Sequence, residues 1–228
     1  MYAKGLKRVM DFCLSLGAIA VLSPVLLILM LVGAIAMKGN PFFTQLRPGK
    51  DERIFRLIKF RTMSNAKDKE GNLLPDDVRL NGYGRFLRST SLDELPELFN
   101  ILVGDMAVVG PRPQLVRDMV FMTDGQRRRH TVRPGLTGLA QINGRNSVTW
   151  EKKLEFDLVY LEKITFIGDW RIIFGTVGKV FARDGISEEG MDTAEDLGDY
   201  LLRTGRVDRE EYDARQLEAK TAIQNRRR

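Results

Sequence analysis

Cysteine and histidine are almost missing from this sequence, which holds only Cys13 and His130. One thiol cannot close an internal disulfide, so the cross-linked framework of a small secreted domain is excluded and a reducing compartment fits. A single histidine argues against a His-based metal site or a Ser-His triad. The phosphate-binding fingerprints G-x-x-x-x-G-K-[ST] and G-x-G-x-x-G are absent, as are zinc-like Cys/His spacings. There is no internal repeat and no low-complexity tract. Charge is also missing locally: the 26 residues from Phe12 to Met37 carry none.

The chain has 228 residues, enough for one full domain or one domain with an appendage. Hydrophobic residues at 43% and charged residues at 29% describe a globular body. The net charge of +6 is uneven. Ile186 to Arg228 carries 8 Lys+Arg against 11 Asp+Glu, while the remainder carries 28 against 19, a net of +9. A basic body suits anionic lipid, phosphate substrates or nucleic acid. Nucleic acid is disfavoured, because no binding motif accompanies the charge and a long apolar run is out of place.

That run is long enough to cross a hydrocarbon core, which takes about 20 apolar residues. It is too long for a signal peptide, and Lys38-Gly39-Asn40-Pro41 does not resemble a cleavage site. Ser23-Pro24 lies near its middle, where proline removes a backbone donor and favours a bend. Both flanks are basic: Lys4, Lys7 and Arg8 on one side and Lys38 on the other. The positive-inside rule puts both flanks in the cytoplasm, which a re-entrant helix-break-helix satisfies and a span does not. A kinked span remains the alternative.

Pro41 to Met63 reads as a β-hairpin, with Phe42–Gln45 and Ile54–Thr62 as arms and Pro48-Gly49 supplying turn chemistry. Alternation puts Ile58, Phe60 and Thr62 on one face and Lys59 and Arg61 on the other, a solvated face by default. Residues 67–80 read as a loop. Gly82 to Arg88 leads into a helix start at Thr90 to Glu94. Leu92, Leu95, Leu98, Phe99 and Leu102 continue it to Gly104. Met106 to Val109 reads as a short strand. Thr149 to Ile164 reads as an amphipathic helix with a Trp150–Leu154–Leu158–Leu161 stripe. Trp170 to Phe181 reads as a core helix or one lying on a bilayer. Arg206 to Arg228 reads as an exposed helix or a loose tail. The fold class expected is α+β: a mostly helical cytoplasmic domain with a small hairpin, a re-entrant anchor and interfacial amphipathic helices. Its divisions are 1–38, 39–197 and 198–228.

Few residues offer chemistry. Asp93 and Glu94 are adjacent carboxylates in a helix start. Ser91-Leu92-Asp93-Glu94 fits a capping box, a purely structural role. The same helix dipole keeps Asp93 ionised, and an ionised carboxylate can attack phosphorus or share a Mg²⁺ with substrate phosphates. Arg112 stands between Pro111 and Pro113, a stiff frame either for a phosphate clamp or for an ordinary exposed turn. Arg127-Arg128-Arg129-His130, with Arg133 nearby, is a solvated face, a lipid contact or a phosphate site. The glycines from Gly135 to Gly144 offer backbone N–H groups to a phosphate.

Together these segments resemble the bacterial sugar transferases, the monotopic phosphoglycosyl transferases. The matching stretches are Lys7-Arg8 and Asp11 before Ser23-Pro24; Phe43-Thr44-Gln45 with Arg47-Pro48-Gly49; Lys59 to Met63; and Arg88 to Pro96. They continue with Phe99-Asn100, Gly104-Asp105-Met106, Val109 to Pro113, and Arg133 through Arg145. The match runs in family order over residues 1 to about 190, and the small size is similar to the minimal PglC-type members. The resemblance implies a monotopic enzyme of the bacterial inner membrane with its catalytic body on the cytoplasmic face. It implies that Asp93 attacks the β-phosphorus of a UDP-sugar, releases UMP and passes the phosphosugar to polyprenol phosphate. Glu94 would assist, Mg²⁺ at Asp93 would neutralise the diphosphate, and Arg112 would bind phosphate. Lys59, Arg61, Arg88, Arg133 and Arg145 are further candidates for the anionic substrates. Residues 187–197 are similar to members that use N-acetylated amino sugars. The competing readings are a non-catalytic membrane module that recruits partners and a transferase without a covalent intermediate.

Overall fold

The computed structural model describes residues 2–144, 148–182 and 195–226. Helix α1 (Lys7–Ala36) gathers the uncharged run into 30 helical residues. Helical hydrogen bonding continues through Ser23-Pro24, where the sequence expects a helix-break-helix. Pro24 has no N–H to offer the Ala20 carbonyl four residues earlier, and the Ser23 hydroxyl donates to that carbonyl instead at 2.9 Å. Most of the helix's large apolar side chains face outward, among them Val21, Leu27, Ile28, Leu31 and Ile35.

Both ends of α1 are tied to the same body. At its start the Arg8 guanidinium donates to the carbonyls of Ile101 and Leu102 at 2.6 and 2.7 Å, and buried Asp11 accepts from the Val108 N–H at 3.0 Å. Lys7 reaches Asp169 at 2.6 Å, and Asp169 also accepts from Tyr160 at 2.9 Å. Towards its end the Tyr83 hydroxyl donates to the Leu29 carbonyl at 2.7 Å, and Asn81 donates to the Ala36 carbonyl at 3.1 Å.

The hairpin forms as read, with strands β1 (Phe42–Pro48) and β2 (Ile54–Phe60) paired antiparallel, Phe42 opposite Phe60. Its faces are less simple. Phe55 and Leu57 are buried on the face that carries Lys59, so that face is core and not solvated. Residues 67–80 are mostly irregular, ending in helix α2 (Asp76–Arg79). Helix α3 (Gly82–Thr90) is a helix in its own right, started by the Asn81 side chain accepting from the Gly84 N–H at 2.9 Å.

The expected helix from Thr90 onward is broken in two. Ser91 adopts a left-handed backbone, φ 56°, that ends α3, and Leu92–Glu94 form a single 3-10 turn. Pro96 then starts α4 (Glu97–Val103), which Gly104 closes at φ 99° as the sequence indicated. The capping box is therefore not made: Ser91 gives no side-chain cap.

Strand β3 (Ala107–Val109) pairs in parallel with β4 (Gly135–Thr137), a strand the glycine-rich stretch had concealed. Gly110 N–H donates to the Thr137 carbonyl and Gly135 N–H to the Pro111 carbonyl, both at 2.9 Å, so these amides are spent internally. Short helices α5 (Val116–Met119), α6 (Asp124–Arg127) and α7 (Leu139–Ile142) follow this frame. Helix α8 (Trp150–Glu162) turns Trp150, Leu154, Asp157 and Tyr160 inward, so its stripe includes two polar residues, while Leu158 and Leu161 are half-buried. Helix α9 (Phe166–Ala182) buries Asp169 and Ile172 and leaves Phe166, Ile167, Phe174 and Val177 exposed.

Helices α10 (Leu197–Arg203) and α11 (Arg209–Arg226) complete the described chain. Helix α11 docks Ala219, Tyr212 and Ile223 onto the core around α5.

Asn100 on α4 is the polar joint of this body. Buried at 2% exposure, it accepts from the Ile58 N–H at 3.0 Å and donates to the Arg56 carbonyl at 2.8 Å and to Asp105 at 3.2 Å. Asn100→Ala strands both backbone groups of β2, and a loss of about 2–4 kcal/mol is expected, read as a lower thermal midpoint in detergent.

Candidate active site

The turn Leu92–Glu94, strand β2 and the Pro111-Arg112-Pro113 segment meet at one cleft of about 870 Å³. A cleft of that size holds a nucleotide-sized ligand. Asp93, Glu94, Lys59, Arg61, Arg88 and Arg112 all line it. Arg133 does not: its guanidinium donates to the Gly104 carbonyl at 2.7 Å and, with Arg8, covers the C-terminal end of α4. Arg145 lies outside the described residues.

One oxygen organises the charges. Glu94 Oε1 accepts from Lys59 Nζ at 2.8 Å and from Arg112 Nη2 at 2.7 Å. Lys59 also approaches Glu97 Oε1 at 3.2 Å. Burial works against a charge on Glu94, but Arg112 and Lys59 outweigh it and hold the carboxyl far below the usual range. Lys59 shows the same balance: burial disfavours its charge, and Glu94 with Glu97 more than restores it. Arg112 is raised chiefly by Glu94.

Asp93 differs from its neighbour. Among the described residues its carboxylate makes no side-chain hydrogen bond or ion pair. Burial pushes its pKa up to about 6, helped by the Glu94 charge and opposed by Lys59, Arg112 and Arg88. Glu97 is pushed up to about 7, mainly by burial. Two adjacent carboxylates thus have opposite characters: Glu94 is a fixed counter-ion, and Asp93 is an unpaired oxygen donor facing the cleft. A hard cation fits such a donor, since Mg²⁺ takes one or two carboxylates together with substrate phosphates. Among the described residues no group of three or more His, Cys, Asp or Glu forms a metal cage of its own.

Arg112 is placed by its frame as much as by Glu94. Arg129 is 2% exposed, pairs with Asp157 at 2.7 Å and donates to the Arg112 carbonyl at 2.5 Å. Arg127 is taken by Glu52 at 2.7 Å, and His130 is buried beside it, so of that basic run only Arg128 stays exposed. The basic run is mostly scaffold, and Arg129 supports the site from behind.

Sequence reasoning missed Glu97, Arg47, Arg79, Arg85 and Gln141, which also line the cleft. Two had a usable signal: Glu97 lies one turn beyond Asp93, and Arg85 one turn before Arg88 on α3. Arg47, Arg79 and Gln141 come from other segments.

Comparison with known proteins identifies the family. The family described as Bacterial sugar transferase matches residues 2–183. A Bacillus subtilis protein described as "Uncharacterized sugar transferase EpsL" is 45% identical over 190 residues, covering 83% of this chain and 94% of that protein. The UDP-glucose:undecaprenyl-phosphate glucose-1-phosphate transferase of Klebsiella pneumoniae is 41% identical over 185 residues, covering 77% of this chain and 40% of that protein. The undecaprenyl-phosphate galactose phosphotransferase of Salmonella typhimurium is 34% identical over 198 residues, covering 79% and 41%. This chain therefore spans nearly all of the first and about two-fifths of the other two.

The shared cation gives a direct test. Lys59→Met removes the charge that lowers both glutamates, so side-chain carboxyl titration by NMR is expected to move Glu94 and Glu97 upward together. Movement of neither would mean that Lys59 does not hold the pair.

Proposed function

Because this chain belongs to the bacterial sugar transferase family, we propose that it transfers a phosphosugar from a UDP-sugar to polyprenol phosphate, as its glucose- and galactose-transferring relatives are named for doing. The unpaired Asp93 carboxylate beside a doubly neutralised Glu94 is the observation that carries this reading.

An Asp93 oxygen attacks the β-phosphorus. The bond from that phosphorus to the bridging oxygen breaks, and UMP leaves with the electron pair. The phosphosugar is left as an acyl phosphate on Asp93. An oxygen of the polyprenol phosphate then attacks the same phosphorus, frees the carboxylate and forms polyprenol diphosphate sugar. Dividing one transfer into two gives each step a good leaving group. Arg112 and Lys59 present positive charge to the diphosphate, and Arg61 and Arg88 extend it along the cleft. Mg²⁺, held by Asp93 and the substrate, would supply neutralisation of the diphosphate charge. Glu94, ionised and bound to two cations, is a poor proton acceptor, so its assistance is to fix Arg112 and Lys59.

The anchor supports the same reading. A straight helix of this length runs roughly 45 Å, so a span would carry one end to the far side of the bilayer. Here both ends are bonded to one body, at Arg8 and Asp11 and again at Leu29 and Ala36. A re-entrant path with its bend at Ser23-Pro24 keeps the body on the cytoplasmic face of the inner membrane. The exposed apolar faces of α1 and α9 meet lipid, and the cleft sits where a lipid phosphate presents itself.

Intact mass after mixing protein, Mg²⁺ and UDP-sugars without lipid is expected to show one added phosphosugar and an equivalent of UMP. Asp93→Asn should show neither. Adduct on Asp93→Asn would move the nucleophile elsewhere, and UMP appearing only with acceptor would favour direct transfer. No adduct, no UMP and no lipid-linked product even with acceptor present would favour the non-catalytic reading. The ionised Asp93 is the reactive form, and burial lifts its pKa to about 6. Adduct formation should therefore fall about tenfold per unit of pH below that value and level off above it.

A further inference from the structure

Gln141 is the one neutral side chain of the described cleft that is buried with nothing to bond. It is 6% exposed, and neither its amide nitrogen nor its amide oxygen has a hydrogen-bond partner. A buried polar group left unmatched is costly, and protein interiors seldom tolerate it. Here two unmatched atoms occur on one side chain, in the lining of the cleft that holds Asp93, Glu94 and Arg112.

The position of Gln141 is closely held. Gly138 precedes α7, and a Cβ there would come within 2.2 Å of the Gly110 carbonyl oxygen and 2.8 Å of the Gln141 amide oxygen. Gly110 in turn leads directly into Pro111-Arg112-Pro113. The backbone of α7 is thus set at a fixed offset from the Arg112 backbone. Both amide atoms are buried. Rotation about the side-chain bonds brings them to a ligand without breaking any hydrogen bond, since they make none.

We propose that Gln141 recognises an amide edge of the donor, giving its N–H to a ligand carbonyl and accepting a ligand N–H at its oxygen. The chemistry selects this partner. A phosphate offers only acceptors, and would repel the Gln141 oxygen. A ligand edge with N–H and C=O side by side satisfies both atoms at once. A UDP-sugar has that edge in the uracil ring, where the N3–H lies beside a ring carbonyl; the trans acetamido group of an N-acetylated sugar turns its N–H and C=O to opposite sides and can meet only one of the two atoms. This assignment rests on the donor being a UDP-sugar. It makes Gln141 a specificity residue, because a site built to pair a ligand N–H and C=O rejects analogues that lack them.

The test uses the full chain in detergent, with Asp93→Asn in the background to prevent turnover. Calorimetry would compare Gln141 with Gln141→Leu and Gln141→Glu against UDP, N3-methyl-UDP, UDP-glucose and UDP-N-acetylglucosamine. If uracil is read, Gln141→Leu weakens UDP and both UDP-sugars alike, tenfold or more, and N3-methyl-UDP binds both forms equally weakly. Gln141→Glu, which keeps the acceptor and loses the donor, should fall in the same pattern. Loss of affinity for UDP-N-acetylglucosamine alone would put Gln141 on the acetamido group through a single hydrogen bond and overturn the two-bond assignment. Without ligand, Gln141→Leu should melt no lower than the parent, because no bond is removed. A lower ligand-free melting point would make Gln141 a structural residue and overturn the proposal. So would affinities within twofold for all four ligands. Failure of any uridine nucleotide to bind the parent would overturn the transferase reading with it.

Discussion

Two side chains near the start of α1 hold the rest in place. Arg8 seals the C-terminal carbonyls of α4, and Asp11 takes a β3 amide. A cation at a helix C-terminus is favoured both by the dipole and by the unsatisfied carbonyls there. Helix α4 begins immediately after the Asp93-Glu94 turn and carries Glu97 and Asn100, and β3 runs directly into Gly110 and Arg112. The polar start of this apolar helix thus fixes the two elements that carry the opposing halves of the site.

The cleft then works by unequal treatment of like groups. Three carboxylates lie within one helical turn, and two cations cannot neutralise them all. Glu94 takes the short contacts to both Arg112 and Lys59, Glu97 takes a longer one, and Asp93 takes none. Burial raises the groups left under-compensated, to about 6 for Asp93 and about 7 for Glu97. A carboxylate without a partner is costly to bury and reactive for the same reason.

Backbone proximity is the second device. Gly110, Gly135 and Gly138 approach so closely that Cβ atoms would come within 2.1 to 2.5 Å of neighbouring backbone. That packing joins β3 to β4 and sets Arg112 and Gln141 on one frame. Glycines that look like a phosphate loop in the sequence are here a structural seam.

Much of this was legible in the residues. The uncharged run, the hairpin from Phe42 to Phe60, the α8 helix and the Gly104 stop follow from local rules of hydropathy, alternation and turn chemistry. The motifs around Asp93 and Arg112 pointed to the cleft. The sequence by itself determined which groups were available: one adjacent carboxylate pair, a proline-framed arginine and a long apolar helix. Only the tertiary structure decided what each does. It separated Asp93 from Glu94, moved Lys59 from a solvated face to the core and spent Arg129 and Arg133 on backbone carbonyls. It also left Gln141 unmatched. Helices and turns depend on residues a few positions apart, which a sequence displays. Charge balance and burial depend on what other segments bring to the same place, and that is settled only when the chain closes on itself.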